Sequence, residues 1–222
     1  AFTSTRVMAT CSAIGQAAGT AAALCARESI SPRQLRADQN KLSKLQQTLL
    51  RDDQSIRLIK NQDPNDLARS ASVKASGAYS EALPEHVVNG EVRDMPDSWD
   101  NRWAVPMTPD GAWIELQWPQ PQRVSHVQIT FDSGFQRELT LSASNWVTNR
   151  VIRAPQPETV KDYQLVGTLA NGKQLTLVQI KNNYQRVCRH EFEPVDLVAL
   201  GLYIQSTNGA AEARVYEIRC YV

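Results

Sequence analysis

Apolar residues recur along the chain with two different periods, and the change falls near residue 60. Before that point they recur at helical spacing. After it, apolar and polar residues alternate over short runs, as in strands that bury one face. The pattern predicts a helical segment over residues 1–60, a polar linker with an Asp-Pro step over residues 61–67, and a β unit over residues 68–222.

The first predicted helix covers residues 3–26. This stretch has no proline, is rich in alanine and opens with Ser and Thr residues, which can cap exposed backbone amides. Small residues recur at every fourth position and predict a flat face that another backbone can approach closely. These residues are Cys11, Gly15, Gly19 and Ala23.

Two other interpretations of residues 3–26 remain open. A signal peptide would use Arg6 as its charged start, but Thr, Ser and Gln residues interrupt the apolar stretch. A membrane-spanning helix requires about 20 mostly apolar residues, and only four residues here are Leu, Ile, Val or Met. We therefore favour a packed helix of a larger α/β protein and expect no membrane span.

A second helical stretch begins with Ser31 at the capping position and Pro32 at the first helical position. Leu42, Leu45 and Leu49 follow at i, i+3 and i+7, which predicts one apolar stripe that requires a partner surface. An Asp-Asp step then ends the periodicity. The N-terminal segment is therefore predicted to contain two to three helices.

Eight short alternating runs predict an antiparallel β-sandwich in the second unit. The runs are residues 113–118, 123–131, 138–144, 162–169, 173–180, 186–192, 197–205 and 213–222. An Asn171-Gly172 step between the fourth and fifth runs predicts a type I′ hairpin turn. Alternation in the last two runs predicts the core residues Val198, Leu200, Leu202 and Ile204, and Tyr216, Ile218, Cys220 and Val222.

Charge and aromatic content separate the same two units. The chain has 222 residues and a net charge of +1, without a basic run that would attract nucleic acid, so no nucleic acid partner is expected. Residues 1–60 carry 9 basic and 4 acidic side chains, whereas all five Trp residues lie between Trp99 and Trp146.

Histidine and cysteine spacing gives no metal or redox motif. The three His residues are far apart, and the four Cys residues form no CxxC pair. A disulfide between Cys188 and Cys220 remains open. Neither a Ser-His motif nor a convergent carboxylate pair is found, and Glu191 and Glu193 share one strand face, so no catalytic residue is predicted.

The helical segment resembles a known family. The carrying segments are STRVMATCSAIGQAAGTAAALC and SPRQLRADQNKLSKLQQTLLRDDQSI, which together look like the C-terminal end of FAD-dependent oxidoreductases. The resemblance implies that the segment before the Ala/Gly-rich helix closes over a flavin. The matching residues are Ser4, Thr5, Arg6 and Val7.

This resemblance covers only about residues 1–58. The Rossmann-type flavin domain would precede it, and no strand followed by GxGxxG occurs in this chain. We therefore expect a C-terminal fragment, a split reading frame or a remnant. FAD would bind only if an upstream Rossmann domain is supplied, and the upstream domain or another subunit is then a candidate partner.

The β unit resembles the galactose-binding-like jelly-roll modules, which include discoidin domains and many carbohydrate-binding modules. The carrying segments are LARSASVKASGAYSEALPEHVVNGE, GAWIELQWPQPQRVSHVQITFD and GLYIQSTNGAAEARVYEIRCYV, in that order. The resemblance implies a mainly β, jelly-roll β-sandwich. Members of this superfamily bind sugars, lipids or proteins, and its sugar-binding modules suggest an extracytoplasmic location.

A sugar site needs an aromatic plate with amide, carboxylate or arginine groups beside it. One loop supplies Asp97, Trp99, Asn101, Arg102 and Trp103. A second loop supplies Trp146, Asn149 and Arg150. The alternative is that Trp99 or Trp103 is a buried Trp of the core, as large aromatics usually are, and that Trp113 and Trp118 pack in a strand.

The resemblance also implies a calcium site, formed around an Asp-Gly step and a Glu near the C-terminus. The corresponding residues are Asn89, next to Gly90, and Glu217. Replacement of Asp by Asn removes a negative charge and weakens this expectation.

The sequence therefore favours a carbohydrate-binding accessory module that is not catalytic as it stands. Two alternatives remain. The chain is a structural C-terminal domain of an FAD-dependent oxidoreductase, or it completes the flavin site of an upstream polypeptide.

Overall fold

The computed structural model of the chain describes residues 8–94, 100–135, 137 and 143–222. Two compact units are present. The first ends at Asp63 and the second begins at Pro64, within the linker that the sequence predicts.

The first unit contains three helices: α1 Met8–Glu28, α2 Pro32–Ala37 and α3 Gln39–Arg51. Ser31 and Gln34 form a capping box, in which Ser31 Oγ accepts from Gln34 N at 3.3 Å and Gln34 Oε1 accepts from Ser31 N at 2.8 Å. Asp38 ends α2 and caps α3, because its carboxylate accepts from Asn40 N at 2.9 Å. The second predicted stretch is therefore two helices that share one capping residue.

A small apolar cluster holds the three helices together. Leu24, Cys25 and Leu35 are buried, and Leu45 of the predicted stripe packs against them. Glu28 accepts hydrogen bonds from Lys41 at 2.5 Å and from Lys44 at 2.7 Å, and these bonds lower the pKa of Glu28 to about 2.

The predicted small-residue face of α1 remains open in the described part of the chain. Cys11, Gly15, Gly19 and Ala23 are exposed. A Cβ added at either glycine would meet no atom within 4 Å. The sequence suggested that another backbone packs closely on this face. Among the described residues, no backbone does so at Gly15 or Gly19.

The second unit is built on one seven-stranded antiparallel sheet that curls into a sandwich. Six strands follow the order β2-β7-β3-β6-β4-β5, and β1 pairs with β3. The strands are β1 Ser72–Ala75, β2 Trp103–Pro106, β3 Ala112–Phe131, β4 Val160–Thr168, β5 Gln174–Ile180, β6 Val187–Thr207 and β7 Glu212–Tyr221.

Strands β3 and β6 each combine two predicted runs. The first two runs join through an irregularity between Gln117 and Gln122, where Pro119 and Pro121 lie. The β6 runs join near Pro194, at a second irregularity. Proline lacks a backbone donor and is tolerated at bulges, so these prolines interrupt the ladder without ending the strand.

Six of the eight predicted core positions are buried, and Val198 and Val222 are the two that are not. Leu200, Leu202 and Ile204 lie in the core, but Leu197 is fully buried where the register predicted Val198. Val222 is 74% exposed because β7 ends at Tyr221. Tyr216 is buried, but it lies outside the main apolar cluster because it follows Val215, where the β3–β7 register shifts.

The predicted hairpin between β4 and β5 is present, with a different turn. Gly172 has a φ of 82°, whereas Asn171 is not among the residues with positive φ. Gly172 N donates to Leu169 O at 2.9 Å, and Leu169 N donates to Lys173 O at 2.9 Å. Type I′ would require positive φ at both central residues, so that prediction was wrong.

The first and last segments of the β unit are joined directly. Asp66 Oδ1 accepts hydrogen bonds from Ala68 N at 3.1 Å and from Cys220 N at 3.0 Å. Trp118 Nε1 donates to Leu67 O at 2.9 Å on the same short segment.

Cys188 and Cys220 are both free and buried, so the disulfide left open above is not formed.

Candidate functional site

Loops that follow β3, precede β4, and connect β5 to β6 and β6 to β7 meet at one end of the sandwich. Thr159 Oγ1 donates to Asp132 O at 3.0 Å. Asn183 Nδ2 donates to Val160 O at 2.8 Å, and Asn208 Nδ2 donates to Asn183 O at 2.9 Å. These side-chain amides replace strand pairing where the strands end, so they hold the loops to the sandwich.

Asp132 organises the centre of this loop end. Its carboxylate accepts from Gly134 N at 2.8 Å and from an Nη of Arg214 at 3.0 Å, and Arg102 Nε lies 4.0 Å away. The side chain of Asp132 is almost fully buried. Because a buried carboxylate requires compensation, the two guanidinium groups hold this loop in place.

The first predicted sugar loop is largely structural where it is described. Asp97 and Trp99 lie outside the described residues. Asn101 is buried and its amide donates to Arg93 O at 3.3 Å. Arg102 donates to Asp94 at 2.9 Å, which leaves its guanidinium between two carboxylates.

Trp103 belongs to the core and not to a binding surface. It has no exposed area, and its indole Nε1 donates to Gly77 O at 2.8 Å. A ring enclosed on all sides has no face for a sugar. The expectation that Trp103 contributes a binding plate is therefore corrected.

The second predicted loop does present an aromatic plate. Trp146 lies in the short helix α4 Asn145–Thr148 and is 65% exposed. The guanidinium carbon of Arg150 lies 3.6 Å from the centroid of its ring. Asn149, which caps the helix, is also exposed. The structure thus brings Trp146 and Arg150 together, and Asn149 directly precedes Arg150 in the chain.

An ion pair closes the base of the loop that carries Trp146. Arg137 pairs through both terminal nitrogens with the Glu158 carboxylate, and it also donates to Gln156 Oε1 at 3.0 Å. This pairing lowers the pKa of Glu158 below its usual value. Residues 21 positions apart are thereby clamped together at the edge of β4.

Gly134 leaves room for this clamp. Its φ is 69°, and a Cβ at this position would lie 2.2 Å from Arg137 Nη2 and 2.8 Å from Glu158 Oε2. Any side chain at residue 134 would therefore push the pair apart.

Sequence reasoning missed two further exposed aromatics in these loops. Tyr184, between β5 and β6, is 67% exposed, and Phe135 follows β3. Phe135 is 45% exposed, and the guanidinium carbons of Arg93 and Arg186 lie 4.7 and 4.5 Å from its ring centroid. Arg186 also donates to Phe131 O at 2.6 Å and to Val92 O. For Phe135, an aromatic directly after a Gly at the end of a strand was the available signal.

The residues expected to bind calcium make other contacts in the structure. Asn89 Oδ1 accepts from Glu91 N at 2.8 Å, which closes a local turn. Glu217 is almost fully buried, and its carboxylate accepts from Arg219 Nε at 2.6 Å. Calcium binds six to eight oxygen ligands, and residues 8–94, 100–135, 137 and 143–222 contain no cluster of three or more His, Cys, Asp or Glu side chains. A guanidinium is therefore the cation beside Glu217.

The flavin-contacting residues suggested by resemblance cannot be placed. Ser4, Thr5, Arg6 and Val7 lie outside the described residues. The described helix α1 begins immediately after them.

A buried cluster of polar side chains in the sandwich stabilises the fold and has no reactive group. Tyr163 Oη lies 3.0 Å from His190 Nε2, and Cys188 Sγ lies 3.4 Å from Asn183 Oδ1. Burial lowers the pKa of His190 and raises the pKa of Cys188. The thiol is therefore held protonated and unreactive.

The β unit has one antiparallel seven-stranded sheet and shares its jelly-roll fold with solved carbohydrate-binding modules. Residues 66–185 match a family described as a domain of unknown function, DUF7402, and the chain belongs to that family. Residues 1–49 match the family described as FAD dependent oxidoreductase. No curated protein matches the chain.

Several solved structures share the fold at low identity. Chitosan-binding module 1 of a chitosanase/glucanase from Paenibacillus sp. IK-5 has a TM-score of 0.53 and 12% identity, over 71% of this chain and 98% of the module. The family 32 carbohydrate-binding module of Streptococcus pneumoniae EndoD has a TM-score of 0.52 and 15% identity, over 70% and 98%. The family 32 module of C. perfringens NanJ, solved with galactose, has a TM-score of 0.50 and 12% identity, over 69% and 94%.

Within residues 8–94, 100–135, 137 and 143–222, none of the helices is long and apolar enough to cross a bilayer.

The Arg137–Glu158 clamp predicts a pH-dependent stability. Pairing lowers the pKa of Glu158 below its usual 4.5, so the contribution of the pair is complete above about pH 4.5 and is lost as the pH falls through the lowered pKa. We expect Glu158→Gln to lower the unfolding midpoint most at neutral pH, with a shrinking difference from wild type below about pH 4.5. Tryptophan fluorescence measures this, because all five Trp residues lie in the β unit.

Asp196→Asn is the matched control, since this exposed carboxylate has only a loose 3.8 Å contact with Arg123. Gly134→Ala should lower the midpoint at every pH tested, because the positive φ of residue 134 strains any side chain. A Glu158→Gln difference that stays constant with pH would contradict the assignment.

The Glu217–Arg219 pair predicts stability without calcium. Removal of one partner of a buried ion pair costs about 3–5 kcal/mol, so Glu217→Gln should strongly lower the urea midpoint of the full chain. Chelator should leave the wild-type midpoint unchanged. A bound calcium ion would add about 2.7 kcal/mol to the free energy of unfolding when free calcium is 100 times its dissociation constant. An increase of that size on adding calcium would contradict this prediction. Glu191→Gln, at an exposed carboxylate, is the control.

Proposed function

We propose that the β unit is a non-catalytic carbohydrate-binding module whose ligand stacks on Trp146. The observation that carries the proposal is the 65% exposure of this indole in a loop clamped to a rigid sandwich. Tryptophan has a large apolar face that water solvates poorly. A pyranose ring offers a matching apolar face, and Asn149 offers amide groups to its hydroxyls.

The fold supports the proposal. The similar solved modules are named for binding chitosan or other carbohydrates, and one was solved with galactose. Their identities to this chain are low, so this support concerns the scaffold, and the ligand is argued from the loop residues. An extracytoplasmic location, where such modules meet glycans, is part of the same proposal.

The described carboxylates at the loop end favour binding without turnover. Asp94 pairs with Arg102, Asp132 and Glu212 with Arg214, and Glu158 with Arg137. A general acid needs a carboxyl group with a raised pKa. Arginine pairing has the opposite effect, and it lowers the pKa of Glu158.

A second candidate function concerns the helical unit. Its match to FAD dependent oxidoreductases spans residues 1–49, and the small-residue face of α1 is exposed. In this proposal an upstream flavin domain packs on that face, and the chain serves as a structural C-terminal piece of the oxidoreductase.

The sugar-binding proposal predicts a loss of affinity at Trp146. We expect hits for the full chain on a glycan array, and Trp146→Ala should weaken the best hit by about tenfold or more, because ring stacking is lost. Trp146→Phe should retain part of the affinity. Both variants should melt like wild type, since the side chain is exposed.

Calorimetric titration with the best array hit gives the affinities. Silence across a broad array, or unchanged affinity in Trp146→Ala, would contradict the proposal.

The second proposal predicts co-purification with flavin. Co-expression with the polypeptide encoded upstream should give a yellow complex, and Gly15→Leu should abolish it by filling the small-residue face. Leucine is a good helix former and Gly15 is exposed, so this chain should keep its fold and its sugar binding. Colourless protein, or a complex indifferent to Gly15→Leu, would count against this function.

A further inference from the structure

The cation on the Trp146 plate points to the kind of sugar that binds there. Arg150 lies 3.6 Å from the ring centroid, and both side chains are exposed. Because Arg150 covers part of one ring face, much of the 65% exposed area must belong to the other face and the ring edges. The site therefore combines one open aromatic face with a guanidinium stacked on the opposite face.

Arg150 has no carboxylate partner among the residues that the structure describes. The other arginines of the loop end differ in this respect. Arg102, Arg137 and Arg214 each pair with an acidic side chain. Those three serve the loops themselves, whereas the contact described for Arg150 is with the Trp146 ring.

The surrounding charge has the same sign. Residues 143–157 contain two basic side chains, Arg150 and Arg153, and no Asp or Glu. The nearest described acids on either side, Asp132 and Glu158, are neutralised by their own arginine partners. The segment 143–157, which carries the candidate sugar site, is thus locally cationic in a chain with a net charge of only +1.

We propose that the Trp146 site selects glycans that carry a hexuronic acid, with the sugar ring on the indole and its carboxylate on Arg150. This inference rests on the proposed function. A pyranose stacked on the open face of the indole carries its C6 group beyond the ring edge. The exposed Arg150 side chain can reach that group by moving from the opposite face to the edge. Guanidinium and carboxylate form paired, charge-assisted hydrogen bonds, which a neutral hydroxymethyl group cannot match.

The competing explanation is that Arg150 only shields the indole from water. An exposed cation–π contact contributes about 0.5–1 kcal/mol, which is reason enough for the side chain to rest there. In that case the charge of the ligand would have no effect on affinity. Ligands that differ in charge alone separate the two explanations.

The test is calorimetric titration of the full chain with trigalacturonate, its methyl ester and neutral galactotriose. Esterification removes the charge and retains the ring. We expect trigalacturonate to bind about tenfold more tightly than its ester, with a preference that falls as salt is raised. Arg150→Gln should reduce the preference to about twofold or less, while binding of the ester is retained.

Arg153→Gln is the matched control, because it removes the same charge from the same segment without touching the plate. It should leave most of the preference intact. If Arg150→Gln and Arg153→Gln reduced the preference for trigalacturonate equally, the preference would arise from the overall positive charge of the segment. That result would overturn the assignment to Arg150.

The remaining outcomes separate this inference from the function beneath it. Equal affinity for the acid and its ester, with both lost in Trp146→Ala, would overturn the acidic-sugar inference and leave the binding module standing. A sulfated galactan oligomer that binds as tightly as trigalacturonate would overturn the carboxylate assignment. No binding of any sugar would overturn the proposed function itself.

Discussion

The pairing of β3 with β6 is the constraint on which the rest of the β unit depends. These strands contain 20 and 21 residues and pair from Ala112 opposite Ile204 to Thr130 opposite Val187. The first half of β3 also pairs with β1, and its second half with β7. One ladder therefore fixes the position of four strands. Asp132 directly follows β3. The β3–β6 ladder therefore also fixes the position of the hydrogen bonds that Asp132 makes to the loops.

Local alternation was enough to predict the fold class, and it failed where the partner of a strand decides the outcome. Residues 113–118 and 123–131 look like two strands because prolines separate them, yet bulges carry β3 through. Strands β1 and β2 contain four residues each, too few for a period to stand out. The side chain that faces the core near Leu197 depends on the bulge beside it, which local sequence does not encode.

The candidate site was predictable in part, because residue type is local and burial is not. Trp103 and Trp146 both lay in loops with Asn and Arg, and both were predicted to bind. The apolar Ala104 and Val105 after Trp103 were the available sign of a core position, whereas Trp146 lies among polar residues. The ion pair between Arg137 and Glu158 could not be predicted from the sequence. The two residues are 21 positions apart, and no local pattern links them.

The hydrogen bond between Asp66 and Cys220 brings the two chain ends of the β unit together. Cys220 stands opposite Val127, and the network around Asp132 begins five residues further along that strand, roughly 16 Å away. A short linker could therefore join the first and last strand segments of the β unit. A circular permutant joined across these ends and opened at the β4–β5 turn would keep every strand neighbour, because the chain direction in each strand is unchanged. The order in which the strands are synthesised is therefore separable from the architecture that they form.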